Sequence, residues 1–214
     1  MLTVLILSIY SCAGQEKERL FILSFPYEHK DTLIESQILM FKKNPMTEEE
    51  ALRFVYNYDT SRLYCRGIYF DMEEEKVTGE WEEKRLPNKC LGINADGFYL
   101  VAYTSYDCQD PKAQQWDYLH FAIYDKDFQL KDKILLYQGD EYGYEIKGLI
   151  NVKSFKILRF YIDGYTKERV FQVLGVNRKT LKFETVKELR TKAFIDTDEM
   201  INAMEQLKLK EYLN

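Results

Sequence analysis

Proline, glycine and histidine are scarce in this chain. Its 214 residues include four prolines, ten glycines and two histidines, beside 17 tyrosines and 13 phenylalanines. Two histidines cannot supply a histidine-rich metal site. Few chain breakers and many aromatic residues favour strands, because aromatic side chains fit a pleated, half-buried surface. Hydrophobic residues make up 46% of the chain, which is enough to predict a folded domain rather than a disordered chain.

Motifs that identify common enzymes are also missing. The sequence has no G-x-S-x-G, H-E-x-x-H, Walker, G-x-G-x-x-G or C-x-x-C motif. The formal net charge is −5, and no run of lysine and arginine stands apart from neighbouring acids. A nucleic-acid partner is therefore excluded, since a phosphate-backbone binder needs a basic face. We predict no metal and no cofactor.

An uncharged apolar run opens the chain. Residues 1–11 read MLTVLILSIYS and directly precede Cys12. This run is far shorter than the roughly 20 residues that cross a bilayer, but it suits the apolar core of a signal peptide. A small residue, Ser11, followed by a cysteine resembles the lipobox of bacterial lipoproteins.

The resemblance implies that residues 1–11 are removed and that Cys12 becomes the lipid-modified N-terminus, carrying acyl chains such as palmitate. Residues 12–19 would then be a polar linker on the bacterial cell envelope, and the lipid would supply the membrane attachment. The alternative interpretation makes residues 2–10 a buried strand and Cys12 an ordinary thiol.

Lipidation of Cys12 leaves three other cysteines, so at most one disulfide can form within the chain. A hairpin turn at Asp96-Gly97 places Cys90 opposite Tyr103. Cys108 lies five residues beyond Tyr103, about 16 Å along a strand, whereas bridged Cα atoms lie within about 7 Å. We predict that Cys90 and Cys108 are not bridged.

Residues 20–214 are predicted to form one mainly β domain. A first strand is expected at residues 20–25, and Thr47 with Glu50 forms a capping box that begins a helix at residues 47–56. An antiparallel meander covers residues 62–189, and a C-terminal helix is expected at residues 197–212. The ten meander strands are predicted at 63–70, 77–83, 89–94, 98–105, 118–124, 128–137, 144–151, 155–162, 170–176 and 180–186.

A weak internal repeat bears on how these strands assemble. Gly97–Tyr106 is similar to Ser154–Ile162, and Tyr118–Leu130 is similar to Val170–Leu181. This spacing resembles the blade repeats of β-propeller lipoproteins. Only two units are visible, whereas a propeller needs at least four blades. A sandwich or an open barrel therefore fits the length better than a complete propeller, although a propeller-like sheet remains among the alternatives.

Aromatic residues are the candidate binding residues. Such side chains bring a large contact area to protein or glycan partners, and they also pack across strands within sheets, so both interpretations remain open. The candidate binding face consists of Tyr99, Tyr103, Trp116, Tyr118 and Tyr124.

Two groups of residues are candidates for catalysis. His120 falls on the less buried side of its strand, where a structural hydrogen bond is the simpler interpretation. Asp140, Glu141 and Glu145 resemble either a glycosidase-like acid pair or ordinary turn residues. The leading hypothesis is a non-enzymatic, lipid-anchored envelope protein that binds a protein or glycan. The alternatives are a periplasmic inhibitor or immunity-type protein and a carboxylate-dependent hydrolase.

Overall fold

The computed structural model describes residues 16–26, 33–40, 44–105, 118–138, 146–191 and 209–214. The proposed signal segment, Cys12 and most of the predicted C-terminal helix lie outside these ranges. Within the described ranges, no helix is both long enough and apolar enough to span a membrane.

The described residues form three antiparallel sheets. Strand β1 precedes the predicted meander, which comprises β2 to β11. The strand bounds are β1 Leu33–Glu35, β2 Tyr64–Asp71, β3 Lys76–Lys84, β4 Lys89–Ala95, β5 Phe98–Ser105, β6 Tyr118–Asp125, β7 Leu130–Gln138, β8 Lys147–Asn151, β9 Lys156–Ile162, β10 Arg169–Asn177 and β11 Lys182–Thr191.

Two of the sheets stack as an open sandwich. One has the order β1-β8-β9-β10-β11 and the other has the order β4-β5-β6-β7, while β2 and β3 form a separate hairpin. The amide of Phe183 on β11 donates to Asp132 on β7 at 2.9 Å and so links the stacked sheets. The mainly β, antiparallel prediction is confirmed.

The β4–β5 hairpin confirms the predicted turn and refines its register. Ala95 pairs with Phe98 across Asp96-Gly97, as expected. A bulge at Cys90 shifts the ladder, so Lys89 rather than Cys90 lies opposite Tyr103. Cys90 is a buried free thiol, which confirms that it is not bridged to Cys108.

The strand predicted at residues 20–25 is wrong, because this segment forms helix α1 over residues 16–23. Phe21, Ile22 and Phe25 are buried whereas Leu20 and Leu23 are exposed, a spacing that follows a helix rather than a strand. In a run this short and uniformly apolar, the sequence does not show whether the buried side chains follow helical or strand spacing. The helix also includes residues 16–19, which the lipobox resemblance assigns to the linker.

Four further helical segments follow, one of which is a 3-10 helix at Thr60–Leu63. Helix α2 covers Ser36–Met40, and α3 covers Glu48–Glu50 before continuing as a π-helical turn at Ala51–Val55. The predicted capping box is present, since Thr47 N–H donates to Glu50 and Glu50 N–H donates to the Thr47 hydroxyl. The C-terminal Leu209–Leu213 segment is a 3-10 helix whose Leu213 is buried.

Both faces of the β4–β7 sheet are buried. Leu100 and Ala102 of β5 face the core between the stacked sheets. Val101 and Tyr103 of the same strand face a second core, which is covered by α1 and the helical segment after Thr47. A smaller cluster on the far side of the five-stranded sheet includes Phe171 and Leu213.

A buried lysine connects the second core to the sheet. Lys89 Nζ donates to Glu50 Oε1 at 2.7 Å and to Ser24 Oγ at 2.8 Å. It also lies 5.9 Å from the ring centroid of Phe21. The Lys89 side chain is 7% exposed and that of Glu50 is 21% exposed. One ammonium group therefore joins β4, α1 and the cap of α3.

We predict that Glu50→Gln lowers the free energy of unfolding by about 3 kcal/mol, because it leaves the buried Lys89 charge without its partner. Glutamine can still complete the capping box. The control is Glu48→Gln, which removes the exposed pair with Lys84 and should cost less than about 1 kcal/mol. Urea unfolding measures both values, and equal costs would contradict the role given to Lys89.

Candidate functional site

The aromatic residues predicted as a binding face lie in different environments. Tyr103 and Tyr124 are 1% and 2% exposed and belong to the second core, so the packing interpretation holds for both. Tyr99 stacks on Phe128 with a centroid distance of 5.3 Å. Tyr118 is half-buried, and Trp116 lies outside the described residues.

His120 has a structural environment. Its Nε2 lies 2.9 Å from Ser105 Oγ, and its ring lies 5.3 Å from that of Tyr103. Burial, followed by the charges of Lys133 and Arg62, lowers the pKa of His120 to about 4. At neutral pH the side chain is therefore an uncharged, weak base with cations as its charged neighbours, which does not suit general-base catalysis.

Tyr118 and His120 are half-buried whereas Leu119, Phe121 and Ile123 are buried, which confirms that His120 lies on the less buried side of β6. Ala122 and Tyr124 share its side of β6 and are buried, because α1 covers this face. The carboxylates of residues 139–145 and His29 lie outside the described residues. Among the residues that the structure describes, no group of three His, Cys, Asp or Glu side chains could hold a metal ion.

A hairpin formed by β2 and β3 stands apart from both stacked sheets, and we call residues 64–84 the arm. Its base is anchored, since Leu63 and Cys65 are buried and Arg85 N–H donates to the Leu63 carbonyl at 2.9 Å. Cys65 is disulfide-bonded. Cys90 is a free thiol, so the partner of Cys65 is one of the cysteines outside the described residues.

Two glycines on opposite strands of the arm accommodate aromatic rings. Gly67 pairs with Trp81, and a Cβ atom at Gly67 would lie 2.4 Å from the indole Nε1. Gly79 pairs with Tyr69, where an added Cβ would lie 3.4 Å from the ring. The indole therefore rests directly against the backbone of β2. Its buried N–H has no hydrogen-bond partner.

Apolar side chains of the arm are exposed. Ile68 is 52%, Tyr69 57%, Met72 82% and Val77 53% exposed. An open concavity of about 380 Å³ lies on the arm, lined by Arg66, Gly67, Ile68, Glu80, Trp81 and Glu82. A two-stranded hairpin alone is marginally stable in water, and none of these four side chains packs in the three core clusters of the described residues.

The arm carries most of the net charge of the chain. Between residues 64 and 84 the sequence has seven acidic and three basic residues, which gives a formal charge of −4 out of −5 for the whole protein. The acids lie at the turn, Glu73 to Glu75, and on β3, where Glu80 and Glu82 line the concavity. The arm therefore combines exposed apolar groups with negative charge.

The strand pattern of the sequence predicts β2 and β3 as ordinary members of the meander and does not predict the arm. Its signal is the composition of β3, KVTGEWEEK: one alternation is wholly polar, and the other has only Val77 and Trp81 as apolar side chains, which falls short of a continuous apolar face. A strand that packs in a core needs such a face. The charge imbalance of residues 64–84 was a second signal available before the structure.

We predict that burial of His120 makes stability depend on pH. Its pKa is about 4 in the folded protein against 6.5 for an ordinary histidine. Between these values the unfolded chain binds a proton that the folded chain does not. The free energy of unfolding therefore keeps its full value above pH 6.5 and decreases as the pH falls to 4, by on the order of 3 kcal/mol in total.

Urea unfolding at pH 7 and pH 4.5 measures this effect. His120→Gln, which keeps a hydrogen-bonding group near Ser105, should show a shallower decrease than the native protein over the same interval. Identical decreases in the two proteins would show that other groups control the acid sensitivity.

Comparison with known proteins identifies no relative. No family model matches the chain, and neither the curated proteins nor the solved structures include a significant match to it.

Proposed function

We propose that this chain is an exported protein of a bacterial envelope, anchored by a lipid on Cys12, that binds a partner protein through the arm. The observation that carries the binding function is the arm itself, a hairpin outside both stacked sheets with exposed Ile68, Tyr69, Met72 and Val77. Clusters of exposed apolar side chains, particularly with polar surroundings, are typical of interaction surfaces.

Two observations support the compartment. The apolar run of residues 1–11 followed by Ser11-Cys12 resembles a lipobox, and the disulfide at Cys65 is a modification that persists in oxidising compartments. Both are expected of an exported protein.

Charge favours a basic protein as the partner. The arm has a formal charge of −4, and an acidic surface attracts a basic one during encounter. The inhibitor or immunity-type hypothesis is a special case, in which the basic partner is a toxin. The glycan hypothesis loses its main support, because the buried Tyr103 and Tyr124 cannot stack on a sugar ring.

The first experiment examines the anchor. We expect the native protein to lack residues 1–11, to carry acyl chains on Cys12 and to fractionate with membranes, whereas Cys12→Ala should leave the membrane fraction. An acylated Cys12 has no thiol, so disulfide mapping should join Cys65 to Cys108. A peptide that joins Cys12 to Cys65, or a soluble protein that retains residues 1–11, contradicts lipidation.

The second experiment examines the arm. The double variant Ile68→Ser/Val77→Ser should lose a basic protein that the native chain retains after crosslinking in an envelope extract, because it removes exposed apolar contacts. The matched control is Tyr165→Ser/Val186→Ser, which changes exposed apolar residues outside the arm. Retention should fall as salt rises, since surface charge attraction is screened. If the arm variant retains the same protein as the control, the arm is not the binding surface.

A further inference from the structure

The edges of the three sheets differ in how they are protected against pairing with another strand. An edge strand presents backbone N–H and C=O groups that can pair with a further chain, and proteins normally cover, shorten or charge such edges. Within the described residues the edge strands are β1 and β11, β4 and β7, and the two strands of the arm.

Five of these strands are protected. The edge of β4 is covered, since Lys89 N–H donates to the Asn44 carbonyl at 2.9 Å and Gly92 N–H donates to the Pro26 carbonyl at 2.8 Å. Strand β7 is bridged at its last residue, Gln138, to Ile146 and has three consecutive charged residues at 131–133, and β1 has only three residues. Charged residues occupy five of the ten positions of β11 and five of the nine positions of β3.

Among the residues that the structure describes, the exception is β2. Its residues 66–70 read Arg-Gly-Ile-Tyr-Phe and carry one charge. Leu63 lies opposite Arg85, next to the pair of Tyr64 with Lys84. Because Arg85 N–H donates to the Leu63 carbonyl, Leu63 and Arg85 are a hydrogen-bonded pair. Antiparallel pairs alternate, so the pairs of Arg66 with Glu82 and of Ile68 with Glu80 are the non-hydrogen-bonded ones. The backbone N–H and C=O groups of Arg66 and Ile68 therefore point away from β3, towards the outer edge.

We infer that the outer edge of β2, at Arg66 to Ile68, accepts an extended basic segment of the partner protein as a third strand of the arm. This inference rests on the proposed function and specifies how the arm binds. Strand addition would satisfy the outward backbone groups of Arg66 and Ile68, and the side chain of Ile68 would gain a neighbour on the added strand.

Charge selects this occupant over a second copy of the chain. Pairing of two β2 edges would bring together two arms of formal charge −4, which is unfavourable. A segment with lysine or arginine instead meets Glu73 and Glu75 at the turn and Glu80 on β3, whereas Glu82 and Glu74 are already paired with Arg66 and Lys76. The Glu80 carboxylate lies about two strand spacings, roughly 10 Å, from the added strand, within reach of a long basic side chain.

The test uses two synthetic peptides of eight residues, the length of β2, one alternating lysine with valine and one alternating glutamate with valine. Their binding to the full chain is measured by fluorescence anisotropy at low ionic strength, with hydrogen exchange at the Ile68 amide. Ile68→Pro removes the outward donor, and its matched control Glu80→Pro removes the corresponding donor on β3. Glu80→Gln corrects that control for the lost charge, and circular dichroism verifies that each variant is folded.

We expect the lysine peptide to bind at least about tenfold more tightly than the glutamate peptide and to slow exchange at Ile68. Ile68→Pro should weaken its binding about tenfold, whereas Glu80→Pro should stay within about threefold of Glu80→Gln. The inference is overturned if the lysine peptide does not bind, if both proline variants lose binding equally, or if Ile68→Pro instead dissociates a homodimer.

These outcomes separate the two proposals. If Ile68→Pro still retains the basic protein from the envelope extract while Ile68→Ser/Val77→Ser loses it, strand addition is wrong and binding through the faces of the arm stands. If neither variant affects retention, the arm is not the binding surface and both proposals fail.

Discussion

The ion pair between Lys89 and Glu50 is the interaction on which the arrangement of this domain depends. Lys89 begins β4, Glu50 completes the cap of α3, and Ser24 at the end of α1 accepts from the same ammonium group. A buried charge is costly unless it is paired and hydrogen-bonded, so the helices can cover the sheet only in positions that bring these oxygens to Lys89. The polar contact therefore fixes where the apolar contacts form.

The β4–β7 sheet becomes a central layer as a result. Helix α1 and the segment after Thr47 cover one face, and the β8–β11 strands cover the other. Strands buried on both faces read as nearly continuous apolar sequence, which is seen in Phe98–Ser105 and Tyr118–Asp125. The abundant tyrosines are explained in part by this layer, since Tyr103 and Tyr124 fill the second core.

The sequence allowed prediction of features that depend on neighbouring residues. The Thr47 capping box, the Asp96-Gly97 turn and the order of the meander strands follow from local side-chain and backbone preferences, and the structure has all three. Features that depend on distant contacts could not be predicted. The helical spacing of residues 20–25 can be recognised only when it is known which of their side chains are buried. The bulge at Cys90 depends on packing around β4.

The arm illustrates the same limit for function. Its strands were predicted nearly to the residue, and the composition of β3 indicates a poor core strand, but composition does not say where the hairpin lies. That depends on which surfaces the other strands have already covered. Two of the tyrosines predicted to bind a partner, Tyr103 and Tyr124, lie in the second core instead, since tyrosine serves equally well in a core and at an interface.

The buried free thiol of Cys90 bears on how the protein acquires its disulfide. Burial raises the pKa of Cys90 to about 12, so the thiolate that exchange chemistry requires is essentially absent in the folded chain. An unfolded chain offers no such discrimination among its cysteines. Closure of β4 and β5 around Cys90 therefore keeps this thiol out of exchange with the disulfide at Cys65, whichever pairing formed first.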